Sequence, residues 1–204
     1  MDGLINVSVL IRGVRPLLMH SAQGADPLSG WARQRSEISK LRSKTEEHHR
    51  QLAKLDWYSA YYGDKTGRPI IPASCLKGMI VAGAKRSRQG SEARATIIVN
   101  GNALLQHKHP LGEKATIDDF WNDESFRDAR AVNVNNAKII RYRPIFEDWA
   151  CEFGATLMDI DVAKFRGFLE AAGRFSGLCD NRPEYGLFEV VKVKELAEAK
   201  KRGG

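Results

Sequence analysis

The chain has 204 residues, enough to bury a sizeable core, and carries 32 Lys and Arg against 25 Asp and Glu for a net charge of +7. That balance suits a polyanionic partner such as nucleic acid. Cys75, Cys151 and Cys179 contain no C-x-x-C pair and read as reduced thiols of a cytoplasmic protein, while no apolar run is long enough to give a signal peptide or a membrane span.

Ile5, Val7, Val9 and Ile11 alternate with more polar neighbours and predict a first strand that Gly13 and Pro16 end. His20 and the segment Ser21–Gly30, with Gly24, Asp26 and Pro27, then read as a loop. From Trp31 to about Tyr58, Ile38, Leu41, Thr45, His48, Leu52 and Leu55 recur at helical spacing. The stripe is thin and partly polar, which predicts a helical insertion over about 27–62 that projects as an arm rather than packing as core.

GDKTGRP is a turn, and Ile70–Ile71 a short extended piece before Pro72. Pro72 and Ser74 can open a helix to Lys85 with Leu76, Met79, Ile80 and Ala84 inward and Lys77, Lys85, Arg86 and Arg88 outside. A second, β-rich insertion is expected at about 90–135, with a hairpin at Asn100–Gly101–Asn102 and short helical structure over Asp118–Phe126. Lys138–Phe146 and Trp149–Asp159 then suggest a hairpin turning at Glu147–Asp148, with Arg141 and Arg143 on its first arm.

Asp161 caps an amphipathic helix carrying Val162, Phe165, Phe168, Leu169 and Ala172. It leads into GRFSGLCDNRPEYGLF, where Gly173, Gly177 and Gly186 accompany Arg174 and Arg182 before the last strand, Leu187–Val193. A loop so rich in glycine can bring backbone N–H groups close to a phosphate. The plainer reading is a helix C-cap and a turn. Lys192–Lys201 reads as a charged tail anchored by Leu196, with fraying from Lys200.

Without the two insertions, the order is strand, helix, strand, strand, helix, strand. This is an α+β, ferredoxin-like βαββαβ core within a single domain spanning residues 1–204. Lys138–Phe146 serves as its second strand. The fold alone decides no function.

The helix opened by IPASCLKG and the final GRFSGLCDNRPEYGLFEV resemble the RAMP superfamily of CRISPR-associated proteins, in particular its backbone subunits. The matching residues are Pro72, Ser74, Leu76, Lys77 and Gly78, then Gly173, Gly177, Gly186 and Phe188. The resemblance covers the core, about half the chain, and includes a phage or mobile-element member outside any CRISPR operon. It implies sequence-independent binding of single-stranded RNA or DNA, with RNA favoured, together with self-association or partnership with other RAMP-like subunits. Lys77, Lys85, Arg86, Arg88, Arg141, Arg143, Arg174, Gly177 and Arg182 would contact the strand.

Two other readings stand beside binding. Some members of the superfamily cut RNA with a histidine or an aspartate in the loop after the first strand, which makes His20 and Asp26 catalytic candidates. A non-catalytic inhibitor or adaptor of a CRISPR-type complex would instead use the arm, with Trp57, Tyr58, Tyr61 and Tyr62 as anchors. His48–His49 and His107–His109 lack metal-site spacing, and no cofactor motif is present, so neither metal nor cofactor is expected.

Overall fold

In the computed structural model, the alternation of the first segment becomes β1 (Leu4–Gly13), whose Val7, Val9 and Ile11 side chains are fully buried. The structure describes residues 3–134 and 137–197. β2 (Leu17–Leu18) and a 3-10 turn at Ala22–Ala25 precede α1 (Gly30–Ser39), α2 (Glu46–Ala60), β3 (Ile70–Ile71), α3 (Ala73–Lys85) and α4 (Gly90–Thr96). Next come β4 (Ile97–Val99), β5 (Ala103–His107), α5 (Ile117–Asn122), β6 (Arg127–Val134) and β7 (Ala137–Phe146). β8 (Trp149–Met158), α6 (Val162–Phe175) and β9 (Phe188–Glu195) complete the order.

The main sheet runs β3-β5-β8-β1-β9 with β4 also on β8, and its pairs are antiparallel. Taking β1, α3, β4 with β5, β8, α6 and β9 as the core gives the ferredoxin-like arrangement, with the last strand beside the first and the third strand between the first and the second. α3 and α6 pack together, and each buries one stripe, Leu76, Met79, Ile80 and Ala84 on α3 and Phe165, Phe168, Leu169 and Ala172 on α6. They meet at Gly83, where a Cβ would lie 2.0 Å from the Phe168 carbonyl oxygen, so a side chain there would force the helices apart.

The other face of the sheet is mixed, with Leu4, Ile98 and Leu104 exposed among polar residues. Asn6, Ser8, Leu10 and Arg12 lie opposite Thr156, Gly154, Glu152 and Ala150. Ser8 donates to Glu152, and the Thr156 hydroxyl lies 2.7 Å from Asn6 Oδ1 and 3.1 Å from Asn100 Oδ1.

Several expectations need correction. The second core strand is β4 with β5, both paired to β8, and not Lys138–Phe146. Asn100–Gly101–Asn102 turns no hairpin. Both segments continue along β8, and the six steps from Val99 to Leu105 span only four on β8, from Ala155 to Cys151, so the three residues form a bulge. Lys138–Phe146 lies within β7, which joins a second sheet, β2-β7-β6. The chain crosses between sheets at Glu147–Asp148, because Phe146 and Trp149 are both buried and each enters a different layer.

The supposed arm is two helices. Thr45 makes a capping box with His48 at the start of α2, and the Lys44 amine closes the end of α1 on the Ser39 and Leu41 carbonyls at 3.0 and 2.9 Å. α2 packs on β7, with Trp57 fully buried and its Nε1 donating to the Phe126 carbonyl at 2.8 Å. Tyr58 and Tyr61 are buried beside it, so they are core residues and not free anchors for an adaptor. Lys192–Glu195 belongs to β9 rather than to a tail, and Leu196 is 42% exposed, tied instead by its N–H to the Asn6 carbonyl at 2.7 Å. The expected fraying from Lys200 lies outside the described residues.

Because Trp57 fills the centre of the layer under α2, Trp57→Ala is expected to cost roughly 3–5 kcal/mol of unfolding free energy in urea titration. A loss below about 1 kcal/mol would mean that α2 is a detachable appendage.

Candidate nucleic-acid interface

Phe175 continues the Phe168 and Ala172 stripe by helical spacing, yet its ring is 50% exposed. Its neighbour from α3 is charged: the Arg86 guanidinium carbon stands 4.7 Å from the ring centroid and that of Arg174 5.9 Å. Ala82, one turn before Arg86, lines an open depression with Phe175, Asn181 and Arg182. Arg86, Arg174 and Arg182 therefore share one patch built by α3, the end of α6 and the loop after it. Lys85, next to Arg86, joins Arg88 and Arg94 around a neighbouring depression at the turn between α3 and α4.

Asp180, in the same loop as Arg182, carries the basic surface toward the second sheet. Its carboxylate accepts from Arg143 at 2.8 Å and lies 3.5 Å from His20 Nδ1. Arg141 donates to Asp56 at 2.9 Å, and Arg35 stands 2.8 Å from the same oxygen. His20, Trp31, Arg35, Asp56, Arg141 and Arg143 border a cleft of about 680 Å³. Burial pushes the Asp56 carboxyl pKa up, against the pull of Arg35. The His20 contact, opposed by burial and helped by the Asn181 N–H and Arg143, holds that of Asp180 below the ordinary value.

Beyond Arg141 and Arg143, two more predicted contacts are engaged elsewhere. Lys77 is nine residues from Arg86, so the two project from opposite sides of α3. The Lys77 amine donates to the carbonyls of Ala93 at 3.0 Å, Arg94 at 2.9 Å and Ile97, capping the end of α4. Burial and then the nearby Arg94 lower its pKa. Gly177 is buried with φ +75°, and its N–H bonds the Ala172 carbonyl at 2.8 Å to finish α6. The loop uses other N–H groups internally too, Leu178 on Gly186 and Gly186 on Pro16, so these are not turned toward a phosphate.

Asp26 Oδ1 accepts from the Leu28 N–H at 2.9 Å, which makes it a turn former. Phe175 was missed in the sequence because its spacing assigns it to the core stripe. The aromatic beside Arg174 at a helix end was the one available signal.

No family model and no curated protein matches the sequence. A chain in a structure of the type III-B Cmr-beta bound to cognate target RNA is similar in fold, with a TM-score of 0.59 and 16% identity over 97% of the present chain. The present chain spans 62% of that chain's length. The likeness is one of fold, and it agrees with the α+β, ferredoxin-like arrangement expected from the sequence. Among the described residues, no helix is long and apolar enough to cross a membrane.

Asp180 supplies a pH test. Its depressed pKa makes its contribution to stability complete above the unfolded-state value of about 3.9 and lost as pH falls through the lower folded-state value. Asp180→Asn is expected to cost roughly 1–3 kcal/mol at pH 7. In urea titrations the gap from the parent protein should narrow progressively as pH falls below about 3.9, whereas a gap unchanged with pH would show that the charge contributes nothing.

Proposed function

We propose that this chain binds single-stranded RNA without sequence preference, as a RAMP-like subunit that stands beside other copies or related subunits in a CRISPR-type ribonucleoprotein. The observation that carries the reading is Phe175, an exposed ring near the guanidinium groups of Arg86 and Arg174. An aromatic face accepts any base by stacking, and nearby arginines hold the phosphates, so the pair of features suits a strand of arbitrary sequence. Arg182, Lys85 and Arg88 extend the track. The similarity in fold to a chain from an RNA-bound complex supports the choice of RNA.

Fluorescence anisotropy with a labelled single-stranded RNA tests this across salt concentrations. Arg86→Ala, Arg174→Ala and Arg182→Ala should each weaken binding roughly fivefold and lower the log K against log salt slope by about 0.7. Phe175→Ala should cost roughly 1–3 kcal/mol with the slope unchanged. Lys77→Met should leave binding intact. The reading is overturned if Lys77→Met is as damaging as the arginine changes, or if the parent protein shows no salt-dependent binding.

A second reading is favoured by the His20–Asp180 contact, since a carboxylate beside an imidazole can orient it as a general base toward a ribose 2′-hydroxyl. In that case the parent protein, incubated with labelled RNA with or without divalent metal, yields cut strands, and His20→Ala removes them while Asp26→Ala does not. Uncut RNA under all these conditions excludes this reading and leaves binding alone.

A further inference from the structure

β9 ends the main sheet, since among the described residues it pairs with β1 alone. Its far side is open backbone, where a further strand can add. The Leu196 N–H bonds the Asn6 carbonyl and the Val14 N–H bonds the Leu187 carbonyl, so Leu196 and Leu187 face β1. By alternation Lys194, Lys192 and Glu189 also turn their backbone groups to β1, while Val193 and Val190 turn theirs outward. Two residues three apart share a direction only because Val191 is a bulge, with Leu10 opposite Lys192 and Ile11 opposite Val190.

Side chains complete the pattern. Val190 and Val193 pack against the core, opposite Ile11 and Val9. Glu189 and Lys194 are exposed on the other face, opposite Arg12 and Ser8.

We propose that a second copy of this chain adds to that edge, β9 against β9, antiparallel about a two-fold axis between Val191 and Lys192. The two patches are then the same surface, as a closed dimer requires. Val190 of each copy meets Val193 of the other as a hydrogen-bonded pair, so the apolar layer under the sheet continues across the axis. Glu189 of each copy meets Lys194 of the other at the closer, non-hydrogen-bonded positions, where opposite charges attract. Lysine on an edge strand ordinarily discourages pairing, but Lys194 here finds a carboxylate. Moving the axis onto Lys192 would set that lysine against itself and Val190 against Lys194, which selects the register. The pairing does not rest on RNA binding.

The test is sedimentation velocity on the full chain freed of nucleic acid. The parent protein should run at twice the mass of one chain by about 100 μM. Val193→Pro removes an outward N–H that β1 does not use, so the chain should stay folded and become monomeric. Glu189→Lys and Lys194→Glu each place like charges at both charged pairs, and each alone should weaken the dimer roughly tenfold. Mixed in equal amounts, these two variants should regain the parent affinity, because every pair is again opposite in sign.

Should Val193→Pro fail to fold in thermal denaturation, the exposed charge variants carry the test by themselves. The proposal is overturned by a parent protein that stays monomeric, by a dimer that survives in folded Val193→Pro, or by a mixture no tighter than either variant alone. A monomer that still binds RNA would sink this inference and leave the Phe175 patch standing.

Discussion

The pairing of β1 with β8 sets the geometry on which everything else rests. It runs unbroken from Leu4 opposite Met158 to Arg12 opposite Ala150. Because side chains alternate along a strand, this one register turns Val7, Val9 and Ile11, with Phe153, Ala155 and Leu157, toward the helices together. A slip of one residue would send the whole set to solvent. α3 and α6 then have a continuous apolar floor, and their contact at Gly83 sets the helix ends at which Arg86 and Arg174 stand near Phe175. The basic patch is thus a product of core packing and not of charge alone.

A net charge of +7 overstates what is free to meet a polyanion. Arg35 and Arg141 converge on Asp56, Arg143 is held by Asp180, and Arg130 by Asp128. These arginines lie in the second sheet and in α1, where partial burial makes an unpaired guanidinium costly. Around Phe175 the arginines meet an aromatic ring instead, which attracts the cation without neutralising it. The distinction lies in the partner, which a tally of residue types does not show.

The elements built on local periodicity were legible in the sequence: β1, α3, the Asp161-capped α6 and β8 all stand close to their expected bounds. The choice of second core strand was not, because β7 alternates as well as a core strand should and only tertiary pairing assigns it to the other sheet. Asn100–Gly101–Asn102 has hairpin composition, but the chain goes straight on, and the asparagine instead reaches Thr156 across the sheet. Trp57 and its tyrosines were ambiguous between core and interface, and the polar stripe before them argued for the wrong choice. Of the candidate site, the expected proximity of Arg86, Arg174 and Arg182 is what the structure reproduces, through Phe175. The diversion of Lys77 to the end of α4 and the exposure of Phe175 were not legible, since both depend on which helix lies opposite.

The outer surface of the main sheet, with its ladder of Asn6, Thr156 and Asn100, its Ser8–Glu152 contact and its exposed Ile98 and Leu104, offers among the described residues no ring on which a base could lie. A strand lodged against the helical layer would leave this whole surface unoccupied. Nucleic acid and protein neighbours would then approach from opposite sides of the molecule, and tightening one contact would not loosen the other.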